Sequence, residues 1–165
     1  MSDYYIYQDP NRCIGCRACE VHCKTKNDVP VGPSFCKIVP VGPHVKSGVP
    51  RIHFVFLPCF HCESPWCVAA CPTGAMQRRA SDGIVFVDDT LCITACPWGA
   101  PQWDKGRGKV IKCDYCMDRV DEGLEPACVT GCTTAALKWV TPQQSTETRR
   151  ERFAKAMTKG SSNVK

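Results

Sequence analysis

Clustered cysteine constrains this chain more than any other feature. Fifteen of its 165 residues are cysteine, and most stand in four tight groups. The first group reads Cys13-Ile14-Gly15-Cys16-Arg17-Ala18-Cys19-Glu20-Val21-His22-Cys23, a C-x2-C-x2-C-x3-C spacing. Three thiolates on one short loop can cap three irons of a single iron–sulfur cube, and a fourth cysteine entering a helix points to a neighbouring cube. The second group holds Cys59, Cys62, Cys67 and Cys71, and the fourth holds Cys113, Cys116, Cys128 and Cys132. In both, three residues separate the last two cysteines.

The third group departs from this pattern. It keeps only Cys92 and Cys96 where four are expected. Either a segment carrying two cysteines is missing, or the site has lost a cube and retains two thiols. Asp89, three residues before Cys92, is a carboxylate at ligand spacing, although an aspartate there is more often just the polar end of the preceding strand. Cys36 stands outside every group and is expected to be a buried, inert thiol. His22 and His61 lie inside cysteine loops, where they would shield or hydrogen-bond a sulfur. Trp66, Trp98 and Trp103 are expected to keep water from the site.

Two other chemistries compete. A disulfide framework suits a cysteine content this high, but the count is odd and the spacings are metal-like. A zinc ribbon could use Cys59-x2-Cys62 with Cys113-x2-Cys116, yet the remaining cysteines exceed what one zinc needs. The start of the chain has no basic and then apolar leader pattern, and no apolar stretch approaches the roughly 20 residues of a membrane span. A cytoplasmic protein without a direct membrane span is therefore expected. The net charge of +5 can offset the negative charge of thiolate-bound clusters, so nucleic acid is not needed to explain it.

The element pattern is mixed. Residues 4–7 read as a strand, 19–26 as a short helix, and 29–48 as an irregular insertion rich in Pro and Gly. Residues 51–56 read as a strand. Residues 75–77 and 84–87 flank Ser81-Asp82-Gly83 as a hairpin. Residues 110–112 lead into the fourth group, 136–140 form a last strand, and 143–159 form a polar helix. Cys71-Pro-Thr-Gly-Ala, Cys96-Pro-Trp-Gly-Ala and Cys132-Thr-Thr-Ala repeat one template, as a duplicated unit would. Small residues after each such cysteine let amide N–H groups approach the sulfur.

The segments CIGCRACEVHCK, CFHCESPWCVAACPTGA, ACPWGAPQW and KCDYCMDR…PACVTGC resemble the four-cluster ferredoxin subunits of molybdenum and tungsten oxidoreductases. These include the small subunits of dimethyl-sulfoxide-reductase-type enzymes, formate dehydrogenases and tungsten aldehyde oxidoreductases. The resemblance spans residues 4–140. It implies an α+β fold of duplicated bacterial two-cluster ferredoxin-like units, with short strands and helices around the clusters and much irregular loop. A polyferredoxin domain would cover 1–142, with units of about 1–50 plus 104–142 and about 51–103, followed by a basic tail over 143–165. The family's crosswise pairing implies three [4Fe-4S] clusters: Cys13, Cys16, Cys19 with Cys132; Cys23 with Cys113, Cys116, Cys128; and Cys59, Cys62, Cys67 with Cys96. Cys71 and Cys92 are left for a fourth. The resemblance further implies electron transfer without bond chemistry of the chain's own. One partner would be a large molybdenum- or tungsten-pterin subunit and the other a flavin subunit, ferredoxin or quinone-linked protein. A free-standing diffusible polyferredoxin is the alternative. The basic tail could dock on the large partner or remain a solvated helix.

Overall fold

The structure is a computed structural model that describes residues 3–46, 48–88 and 95–161. Its strands pair only in twos. Strand β1 (Tyr5–Gln8) pairs antiparallel with β8 (Leu137–Val140), matching Tyr5 to Val140 and Gln8 to Leu137. This brings the two ends of the cysteine-bearing region together. Helix α1 (Ala18–Lys26) packs on α4 (Ala127–Thr130) beside that ribbon. The contact is close because Gly131 has no side chain. A Cβ there would lie 2.3 Å from Cγ of His22.

A long hairpin, β2 (Lys37–Lys46) with β3 (Val49–Leu57), sits beside this unit. The expected irregular insertion over 29–48 is therefore corrected: most of its second half is strand. Pro40 and Pro43 argue against a central strand, but a two-stranded ribbon has only edges, where missing N–H donors are tolerated. The register slips between Val41 and His44. Side chains tie the hairpin down. Gln8 donates to the Phe54 carbonyl at 2.8 Å and accepts from the Phe56 N–H at 2.9 Å, so it acts like one more strand residue. Glu20 of α1 accepts from the Ile38 N–H.

The second half is built from small pieces. Helix α2 (Trp66–Ala69) precedes the hairpin β4 (Met76–Arg78) and β5 (Val85–Val87), which forms where the Ser81-Asp82-Gly83 turn predicts it. The pair β6 (Gln102–Asp104) and β7 (Lys109–Ile111) encloses a glycine-rich turn in which Asp104 accepts from the N–H groups of Gly106 and Arg107. Strand β6 escaped the sequence reading because Gly and Pro flank it. Helix α3 (Met117–Asp121) follows the fourth cysteine pair, and α5 (Pro142–Ser161) closes the described chain. Arg152 of α5 folds back onto β1, donating to the Tyr7 hydroxyl and the buried Asp9 carboxylate.

Two small cores result, and cysteine is a principal component of both. Cys19, Cys23, Cys36 and Cys128 pack with Ile38, Phe56, Val129 and Leu137. Cys59 and Cys113 pack with Ile84, Ala100 and Tyr115. With so much of the interior made of thiols, apolar burial alone gives a chain of this size little core. Gly131→Ala should destabilise the cluster-loaded protein by about 1–3 kcal/mol through overpacking against His22. Its thermal midpoint should fall by several degrees, and the second substitution His22→Ala should recover part of the loss.

Candidate metal centres

Each C-x2-C loop turns through the same backbone geometry. Gly15, His61 and Tyr115 occupy the equivalent place, two residues after the first cysteine, and all have left-handed φ values of 71°, 45° and 56°. Glycine does this freely, whereas the conformation is strained for histidine and tyrosine. The strain coincides with a contact: the His61 and Tyr115 rings meet at a tilt of 33° with centroids 3.6 Å apart. Gly15 has a different constraint, since a Cβ there would meet Phe54 at 2.5 Å.

The ends of the loops repeat as well. Gly74, Gly99 and Ala135 each stand three residues after a cysteine, and all have positive φ. Their N–H groups donate to the carbonyls of Cys71, Cys96 and Cys132. This turn aims the next amides at the sulfur. Met76 N–H reaches Cys71 Sγ at 3.4 Å, Ala100 N–H reaches Cys96 Sγ at 3.4 Å, and Ala136 N–H reaches Cys132 Sγ at 3.2 Å. Leu137 adds a second donor to Cys132 at 3.4 Å. The expected amide approach at the small residues is thus present at all three repeats.

The thiols gather in a definite way. Burial, foremost, pushes the Cys19 thiol up to about 12, and Cys132 and Cys13 add to this by repulsion. Cys16 bonds the hydroxyl of Thr133, the residue after Cys132, at 3.6 Å. The amide of Ala18 and then this hydroxyl lower the Cys16 thiol. The first cysteine loop therefore meets the last cysteine of the chain. Cys128 is raised by burial and then by Cys23, Cys116 and Cys19. Asn27, at the end of α1, places its amide 3.7 Å from Cys23 Sγ and 3.8 Å from Cys116 Sγ. Cys62 and Cys67 are both raised, chiefly by burial, and both feel Cys59 and Cys96. Cys113, also raised by burial, feels Cys59 most among the other thiols.

These groups suit iron–sulfur cubes. The donors are thiols throughout, three of the four sequence groups hold four cysteines each, and several are buried enough to resist ionising without a cation, while among the described residues no three Cys, His, Asp or Glu side chains are placed to hold a single metal ion. Bound iron supplies that cation. Beside Cys62, Cys67 and Cys96 lies a cavity of about 210 Å³ flanked by Trp66 and Trp98. The shielding is partial, because Trp66 is 67% exposed. Trp103 lies apart from it, in a recess beside the β6–β7 turn.

Among the described residues, Cys71 has no such companions; Cys92 and Asp89 lie outside them. The Thr73 hydroxyl and then the Met76 N–H pull the Cys71 thiol down to about 7. Cys36 is buried as expected but is not isolated. Its S–H donates to the Cys19 carbonyl at 3.9 Å, and its interaction with Cys23, followed by burial, holds Cys36 well above the ordinary thiol range and lowers Cys23. His61 bonds no sulfur in this structure; its Nδ1 accepts from the Val85 N–H at 2.9 Å. Burial, reinforced by Lys112, keeps the imidazole neutral. His22 packs on Gly131, beside Cys132. Sequence reading missed Asn27, whose only sign is its place just past the helix.

Comparison with known proteins agrees with this chemistry. Models of the 4Fe-4S dicluster domain match residues 12–75 and 51–141. The protein belongs to the 4Fe-4S dicluster family. It is 39% identical over 149 residues to the B subunit of the anaerobic dimethyl sulfoxide reductase of Escherichia coli, covering 82% of this sequence and 72% of that one. It is 41% identical over 146 residues to the thiosulfate reductase electron transfer subunit of Salmonella typhi, covering 84% and 76%. The iron-sulfur subunit of the nitrate-inducible formate dehydrogenase of E. coli is 33% identical, covering 92% of this sequence and 59% of that one. This iron–sulfur subunit therefore transfers electrons through 4Fe-4S clusters and is not itself a catalytic subunit. No helix among its described residues is long and apolar enough to cross a membrane.

If Cys71 ligates nothing, iodoacetamide should modify it rapidly in the cluster-loaded protein while ligand thiols resist. A thiol at about 7 is largely thiolate by pH 8. The rate should therefore rise with pH around a midpoint near 7. Peptide mapping after a short pulse checks this, and a protected Cys71 would mean that it holds a cluster.

Proposed function

We propose that this subunit is a relay of three [4Fe-4S] clusters between a large molybdenum- or tungsten-pterin subunit and a second redox partner. Cys13, Cys16, Cys19 and Cys132 hold the first cluster. Cys23, Cys113, Cys116 and Cys128 hold the second, and Cys59, Cys62, Cys67 and Cys96 hold the third. Each cluster can take up and release one electron at a time.

The observation that carries the reading is the meeting of thiols from distant segments. Cys19 feels Cys132, Cys128 feels Cys23 and Cys116, and Cys67 feels Cys59 and Cys96. Neighbouring sets also share cores, Cys19 with Cys128 and Cys59 with Cys113. This supports the linear order first, second, third. The chain's own part is to fix that order, donate N–H groups to the sulfurs and limit water, which together set the potentials.

The β1–β8 ribbon and the α1–α4 contact support a first unit of about 1–50 with 104–142, interleaved with a second of about 51–103. The likeness to named reductase and dehydrogenase subunits favours a permanent partner over free diffusion. The described part of the tail, residues 143–161, is read as part of the subunit's own packing, because Arg152 is already engaged with Tyr7 and Asp9.

Iron and acid-labile sulfide on anaerobically purified protein test the count. About 12 of each per molecule are expected for three cubes of four irons. About 16 would require a fourth cluster. Little iron with stoichiometric zinc would overturn the relay.

A further inference from the structure

Lys112 is a basic residue in an unusual place. Its side chain is almost wholly enclosed, with the residue 4% exposed. It precedes Cys113 and follows β7, so it stands where the second and third cysteine sets approach each other. Its ammonium donates to two main-chain carbonyls, those of Val85 and Cys113. Carbonyls solvate a cation without neutralising it. Among the described residues, none of the ion pairs joins Lys112 to a carboxylate.

A buried charge is costly unless an opposite charge lies near. The opposite charges available here are thiolates. Lys112 is close enough to draw Cys67, Cys62 and Cys113 toward ionisation against the burial that raises them. Two of these belong to the third proposed set and one to the second, and Cys113, whose carbonyl Lys112 holds, packs in one core with Cys59 and Cys96 of the third set. The neighbouring basic side chain, His61, does not share the task, since its Nδ1 is an acceptor for Val85.

We infer that Lys112 is the fixed counter-charge of the relay, raising the reduction potentials of the second and third clusters, and that of the first least, because Cys13, Cys19 and Cys132 lie in the other core. The inference rests on the proposed cysteine sets. Its physics is simple. An arriving electron adds one unit of negative charge and needs no proton, and a nearby cation in a region of low dielectric favours that state. Lys112 therefore favours electrons on the second and third sets over the first.

The test is a redox titration of the full-length protein followed by electron paramagnetic resonance, with iron analysis on every sample. Lys112→Gln and Lys112→Met should move two cubane midpoints negative and shift the third least. Lys112→Arg, which keeps the charge, should stay near the wild type. Unmoved midpoints in an iron-replete neutral variant would overturn the inference. So would an Arg variant that shifts as far as the Gln variant, since that marks a packing role. If neither neutral variant loads iron, Lys112→His decides: above about pH 8, where its imidazole is neutral, two cubane midpoints should lie below those of the wild type, and unmoved midpoints would overturn the inference. Absence of cubane signals from the wild type would instead overturn the underlying assignment.

Discussion

Thiolate charge under burial is the constraint on which the rest of the structure depends. Cys19, Cys113 and Cys128 are all pushed upward by loss of water. Left alone they remain neutral thiols. A cluster reverses this, because iron supplies the positive charge and the covalent link that water would otherwise replace. Ligation and folding are then one event. The two small cores are made as much of cysteine as of aliphatic side chains, so holding the clusters is also holding the core.

The same constraint explains the repeated turns. A thiolate bound to iron still carries negative charge, and N–H donors stabilise it. The protein meets that need with one device used three times: a left-handed residue three places after the cysteine, then an amide aimed back at the sulfur. Gly74 and Gly99 make the turn freely, and Ala135 makes it at some strain. Asn27 adds a side-chain donor to Cys23 and Cys116. Three C-x2-C loops likewise share one turn, and the two bulky residues that fill it, His61 and Tyr115, meet with their ring centroids 3.6 Å apart.

The metal chemistry and much of the fold could be read from the sequence because ligand spacing is local. C-x2-C-x2-C-x3-C encodes its loop and the start of α1 within eleven residues, and the hairpin at Ser81-Asp82-Gly83 is encoded by its turn. Other features depend on partners far along the sequence. The β2–β3 hairpin looked irregular because Pro40 and Pro43 mask its alternation, and it is held by Gln8 and Glu20 from another segment. Strand β6 is short and flanked by Gly and Pro. Lys112 looked like an ordinary strand-end lysine; only the packing of Val85 against the Cys113 loop buries it. The tail helix was expected to face solvent or a partner, yet Arg152 reaches β1, a contact no local pattern could reveal.

The central claim is that cysteines from opposite ends of the sequence share one cluster. The most direct measurement compares Cys19→Ala, Cys132→Ala and the double variant by electron paramagnetic resonance of the reduced proteins. Both single variants should lose or alter the same cubane signal, and the double variant should lose no second one. Loss of two different signals that add in the double variant would contradict the account.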